Sequence, residues 1–559
     1  MRFTRRAVGA DILTAALLTV TFAACSGQHE SAFTSHPANR MSAREIVLPW
    51  RQAGLTEREA AIHLLNRFTF GIRPGDVENV LERGPEQWLA AQLNATPSGD
   101  ALRDRLARYD ALDMTDEQIA SAFPLPGRIQ AEARREGVLL ADGPGARPDS
   151  TGLLREREEL QAYARAKGYR PEKELMEQLV GQKVLRAVYG EDQLAEVLAD
   201  FWFNHFNVSI TNNQAKPYVL TFERDAIRPF VLGRFRDMLE ATARHPAMLQ
   251  YLDNAKSVAV EGAPTTLDAA LARQRAPRRQ NRPVVDAPKK RPTGVNENYA
   301  RELMELHTLG VDGGYTQKDV QEVARAFTGW TVMPAGPGSG EAVQNVRTIA
   351  RRLGPSLVVE DGSFLFRPGQ HDAAPKLILG RQFPAGRGIE DGEEVLDMLA
   401  SSPATARHLA RQLCIRFVSD TPSDTLVGRV AEVFESTHGD LQRVTLAIAS
   451  SNEFWAQARR PEKIKSPLEL AVSAVRAAGA SVDDPLPLAR WIARMGEPLY
   501  AYQAPSGYPD RADAWINTGS LMSRMNFGLA LASGRIPGVQ GSFTQDTGVM
   551  IGSPAFQHR

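Results

Sequence analysis

Residues 172–206 run from Glu172-Lys-Glu-Leu to Asp200-Phe-Trp-Phe-Asn-His-Phe206, and their reading decides the fold. Leu175 and Leu179, Val184 and Val188, and Leu185 and Val188 stand three or four apart, the period of a helix with one buried face. Working outward, the same texture begins near residue 45. Thr56-Glu-Arg-Glu59 carries the cap-and-return pattern of a helix start, and that helix runs to about Phe70-Gly71. Pro74 and Asp76 open a further helix that extends to Leu93. Long stretches of alternating β-branched residues are scarce. The strand-like pieces are short, Ser356-Leu-Val-Val-Glu360 and Phe364-Leu-Phe366, inside a Gly/Pro-rich region. The expected fold is therefore mainly α: a large multi-helix domain over 45–535, with an irregular insert at 334–390 that carries a small β hairpin. A tail at 536–559 closes it. Loops at 137–152 and 256–293 read as mobile.

Composition narrows the function classes. The chain has 559 residues, of which 43% are hydrophobic and 24% charged, enough to bury a sizeable core. Lys+Arg and Asp+Glu are both 66, so a nucleic-acid partner, which favours a basic surplus, is not expected. Two cysteines exclude a disulfide scaffold. The basic residues between Arg273 and Arg291 read as a solvated loop, with contact to an anionic polymer as the alternative.

Residues 1–25 read as an export signal: Arg2, Arg5 and Arg6 precede an apolar stretch from Ile12 to Ala24. Small residues before Cys25 resemble a lipoprotein processing site, at which Cys25 is lipidated. Plain cleavage near Ala24 is the alternative. Residues 26–44 read as a polar tether. The expected location is outside the cytoplasm: periplasmic or membrane-anchored, with the membrane touched through the lipid only, or else secreted.

Several blocks in order resemble one family, the bacterial exported domain of unknown function 1800. They are His63-Leu-Leu-Asn-Arg-Phe-Thr-Phe-Gly71, Phe201-Trp-Phe-Asn-His-Phe-Asn-Val208 and Asn296-Glu-Asn-Tyr-Ala-Arg-Glu-Leu-Met-Glu-Leu-His-Thr-Leu-Gly310. Gly314-Tyr-Thr-Gln-Lys-Asp-Val320, Thr328-Gly-Trp330, His371-Asp-Ala-Ala-Pro-Lys376, Lys465-Ser-Pro467 and Ser553-Pro-Ala-Phe-Gln557 follow. Ser506-Gly-Tyr508 departs from the family's usual Gly-Trp pair. The resemblance implies a mainly helical, exported protein without an established activity. It also implies a partner: a co-encoded exported protein related to sulfatases.

On a helix beginning near Asn298, Asn298, Glu302 and Glu305 fall on one face, with Arg301 at its edge and His307 nearly opposite. Two carboxylates one turn apart suit acid/base catalysis or a divalent cation held by Glu302 and Glu305; a solvated face is the plain alternative. His205 sits among aromatics, as a core residue or as a general base. His371, Asp372 and Lys376 lie on a loop, where they bind an anionic group or move a proton, or else pin the loop. Trp330 offers a stacking face or a packing anchor. No nucleophile elbow, His-Glu-x-x-His or phosphate loop is present. The expectation is a hydrolase-like enzyme acting on an envelope or extracellular polymer. Glu302, Glu305, His205, His371 and Asp372 would be catalytic, and Asn298, Arg301, Lys376 and Trp330 would bind substrate. The alternative is a non-catalytic anchored scaffold or accessory subunit of a partner exported protein.

Overall fold

A computed structural model describes residues 40–94, 100–139, 150–275, 294–354, 357–460 and 462–559. The export signal, Cys25 and most of the tether lie outside the described residues, as do 140–149 and 276–293 of the two expected loops. The described residues fall in one compact unit that is mainly α. None of its helices is long and apolar enough to cross a membrane.

The helix Glu57–Phe68 starts where the sequence placed it. Thr56 accepts the Glu59 amide while the Glu59 carboxylate accepts the Thr56 amide at 2.7 Å. Its inner face buries Leu64, Leu65 and Phe68, and Phe68 meets the rings of Phe417 and Phe454. The stretch expected as one helix to Leu93 is two, Asp76–Arg83 and Pro85–Leu93. Gly84 breaks it with φ 88°, a conformation that side chains resist, and Pro85 cannot continue the helical hydrogen bonding behind it. Residues 172–206 form helices Glu172–Tyr189 and Gln193–His205, whose inner faces bury Leu175, Leu179, Leu194 and Leu198.

The insert is more regular than its glycines suggest. Strands β1 (Trp330–Val332), β2 (Glu360–Asp361) and β3 (Phe364–Phe366) form an antiparallel sheet in the order β1-β3-β2. A tight hairpin follows, β4 (Lys376–Ile378) and β5 (Arg381–Phe383), turning through Leu379 and Gly380, both at positive φ. Helix Gly340–Leu353 corrects the expectation of irregular chain there: Val343, Val346, Ala350 and Leu353 pack on Met333, Val358 and Leu365. The described part of 256–293 contains helix Thr266–Arg275, and Thr265 bridges to Asp372. In the closing segment Val539–Gln540 pairs with Ser481–Val482, and the Arg559 side chain is buried. Ser451-Asn-Glu-Phe454 and Ser553-Pro-Ala-Phe556 share a local form, each serine capping a short helix by accepting the amide of the phenylalanine.

Candidate functional site

The C-terminal end of helix Gln193–His205 faces a cavity of about 410 Å³. The opposite wall is the segment from Glu497 to Trp515, and helix Pro403–Phe417 adds His408 and Arg416. Two asparagines splint that segment. The Asn204 amide donates to the Tyr508 carbonyl and accepts its amide, both at 2.7 Å. Asn207 donates to the carbonyls of Tyr502 and Ala504. Gly507, at φ 67°, packs directly on the Asn204 carbonyl. The splinted loop lines the rings of Tyr502, Tyr508 and Trp515 along one wall, with centroid spacings of 4.5 and 5.7 Å.

Behind the rings lie buried charges. Lys183 pairs with Asp200 at 2.7 Å. Tyr500 holds a left-handed backbone at φ 61°, and its hydroxyl donates to Glu223 and accepts from Gln182. Burial works to raise Glu223, but Arg228, Lys183 and the Tyr500 hydroxyl outweigh it and bring the carboxyl to about 2. Asp510 meets Lys463 and Arg559 at 3.1 Å and Arg416 at 3.5 Å. Burial there too acts upward, and the three cations hold the carboxylate far below its ordinary range. Glu497 behaves oppositely. Burial, with the charge of Asp200 adding to it, pushes its carboxyl up to about 8, although the Leu468 amide donates to it at 2.7 Å. At neutral pH it therefore keeps a proton.

The histidines are neutral. His205 Nε2 donates to the His307 carbonyl at 3.1 Å, which leaves Nδ1 as an acceptor. His408 Nε2 donates to the Leu306 carbonyl at 3.2 Å. Burial drives His205 well below the usual histidine value, with His307 and His408 acting in the same direction.

Of the residues expected to act, the cavity is lined by His205 alone. Helix Asn298–Glu305 begins at the predicted residue, but Asn298 is exposed and Arg301 bonds Glu297 and Gln317 rather than Glu305. Glu302 is half-buried. Burial raises its pKa, the neighbouring charge of Glu305 adds to this, and it lies close enough to Tyr251 to act on that phenol. Tyr251 donates to the Gln503 carbonyl of the loop that walls the cavity, and Glu302 itself is not part of the lining. Glu305 accepts from Tyr315. Among the described residues no group of three or more His, Cys, Asp or Glu side chains is arranged to hold a metal ion, at Glu302 and Glu305 or elsewhere.

The expected convergence of His371 and Asp372 with the glutamates is corrected. They belong to a separate, sealed network. Arg325 forks onto Asp372 at 2.9 and 3.1 Å, and Lys376 reaches Asp391 at 2.6 Å. Arg387 also reaches Asp391 at 2.7 Å, and His371, with no exposed surface, bonds Thr328 through Nδ1. His371, Asp372 and Lys376 thus offer almost no surface to a substrate, and their charges are spent on partners from the helices that flank the insert. Trp330 is likewise core: fully buried between Phe327 and Phe364, with Gly392 against its ring.

Lys183, Asp200, Arg416, Glu497 and Asp510 are residues that sequence reading did not select. Asp200, Asn204 and Asn207 share the face of the aromatic block that also holds His205, and that was the available signal. Nothing local marks Glu497, whose character arises from contacts across the fold.

Fold and cavity define a class, a mainly helical protein with a partly enclosed polar and aromatic pocket. The chain belongs to the family described as protein of unknown function (DUF1800), whose sequence profile matches residues 63–556. No curated protein and no solved structure matches it.

Proposed function

We propose that this chain is an exported, hydrolase-like enzyme that works by proton transfer in the cavity between His205, Glu497 and the Tyr502–Trp515 wall. Its substrate is a sugar-containing piece of an envelope or extracellular polymer. The observation that carries this reading is a pair of carboxyl groups in one cavity driven in opposite directions, Glu497 upward and Asp510 downward. Environments that split two acids in this way assign acid and base roles. Glu497 supplies the proton to a leaving group. His205 Nδ1, neutral and accepting, takes one from water. Asp510 fixes Arg416 in place for an anionic substituent, and the three rings stack on a sugar face.

The test is release of new reducing ends from cell-wall polysaccharide by wild type and Glu497→Gln. Replacement is expected to lower turnover by roughly 100-fold or more. The basic limb of the wild-type pH profile should lie near 8, where Glu497 loses its proton. Equal activity in the two proteins would overturn the assignment.

A second reading, an anchored scaffold for a sulfatase-related exported partner, draws support from how completely the other charges are paired, as at Lys183–Asp200 and Arg416–Glu469. In that case wild type itself releases nothing from the polymer.

A further inference from the structure

Helix Thr518–Ala532 leaves an apolar face uncovered. Leu521, Met522, Met525 and Leu529 are between 48% and 58% exposed. At 100° per residue they fall within an arc of about 100°. Phe527 and Leu531 turn away from the row and are buried, while Gly528, at the edge of the row, is buried against Ile551. The only charged side chain on the helix, Arg524, is buried, where it bonds Gln557 and the Lys465 carbonyl. Single exposed apolar residues are ordinary, but a contiguous row on one helix marks a contact surface.

Beside the row runs a groove lined by Trp491, Arg494, Ser523, Asn526, Leu529 and Arg535. Arg494 lies over the Trp491 ring. Arg490, Arg494 and Arg535 are exposed, and among the described residues none of them pairs with a carboxylate. Three unmatched cations of one sign repel a second copy of the same face and fit a dense array of anions. An apolar helical face, a tryptophan and flanking cations are together the make-up of a helix that lies in a bilayer interface.

We infer that this face rests on an anionic lipid surface, with the Leu521–Leu529 row in the acyl boundary and Arg490, Arg494 and Arg535 against the phosphates. The contact would set the orientation of the body on the membrane, independently of any acyl chain at Cys25 and of what the cavity binds.

The experiment is flotation of the full chain carrying Cys25→Ser, which removes the acylation site, with vesicles of phosphatidylcholine alone or mixed with phosphatidylglycerol. Binding is expected to the mixed vesicles and to weaken as salt rises. The triple variant Leu521→Ser/Met525→Ser/Leu529→Ser and the charge variant Arg494→Glu/Arg535→Glu should each reduce it by about tenfold. All five positions are exposed, so the melting curve should be unchanged, and each variant keeps whatever the N-terminal residues contribute. Binding by the triple variant equal to that of the parent would overturn the inference. So would a concentration-dependent dimer, abolished by the triple variant, in a parent that ignores anionic vesicles.

Discussion

A carboxylic acid stays protonated at neutral pH where burial outweighs the cations around it, and Glu497 meets that condition at the foot of a wall held by two amides. The wall depends on small geometry. Gly507 occupies φ 67°, and a Cβ there would stand 2.2 Å from the Asn204 carbonyl oxygen. Gly507→Ala is therefore expected to cost about 1–3 kcal/mol, read as a lower denaturation midpoint. Because Asn204 must move, the Tyr502–Trp515 rings should also shift, visible as altered tyrosine and tryptophan fluorescence. At this scale the sequence was readable for His205, which a run of aromatics announces. It was misleading for His371, Asp372 and Lys376, a loop cluster that looks reactive but whose charges are consumed by Arg325, Asp391 and one another. Glu497 and Asp510 were silent, since a residue's proton affinity is set by neighbours that the fold brings in from other segments of the chain.

Among the elements, those announced by local chemistry were the ones sequence could locate. The Thr56–Glu59 reciprocal cap is exposed and complete, so Thr56→Ala should lower stability by about 1 kcal/mol, moving the urea midpoint without altering the slope. An unchanged midpoint would mean that the first helix is held wholly by Leu64, Leu65 and Phe68. The Asn298 start has no side-chain cap, and there it was the helical period that gave the direction of the faces. Where glycine and proline dominate the composition, that logic gave out: helix Gly340–Leu353 was hidden between Gly336-Pro-Gly and Gly354-Pro. Its apolar spacing was present, but its partners, Met333 just after β1 and Leu365 on β3, lie on either side of it.

Taken whole, the protein buries an unusual share of neutral imidazole and balanced charge. Burial lowers the pKa of His63, His205, His245, His307 and His408, His63 and His307 to about 3. In the unfolded chain each titrates near 6.5. As pH falls from about 6.5 toward 3 the unfolded state takes up protons that the native state refuses, so stability must fall across that window. Two groups act on the alkaline side. Glu497, raised to about 8, loses its stabilising contribution between roughly 4.5 and 8, whereas Lys465, lowered to about 7, gains one between about 7 and 10.5. Melting temperature is expected to drop steeply below about pH 6 and to change little from 7 to 9; an acid limb that begins only near pH 4 would assign it to carboxylates instead. That polar groups would gather was legible from sequence, while which groups gathered was not, because helix faces specify neighbours on one element and the cavity draws on six segments separated in the chain. The Asp391 crossing carries one more consequence. A single carboxylate there answers the hairpin's Lys376, the loop's His371 and Arg387 from the turn before its own helix, so the 334–390 region is no detachable module. A chimera that took this region from a relative would have to import the acid and its cations together or entomb a lone ion, and inheritance of the segment is accordingly all or nothing.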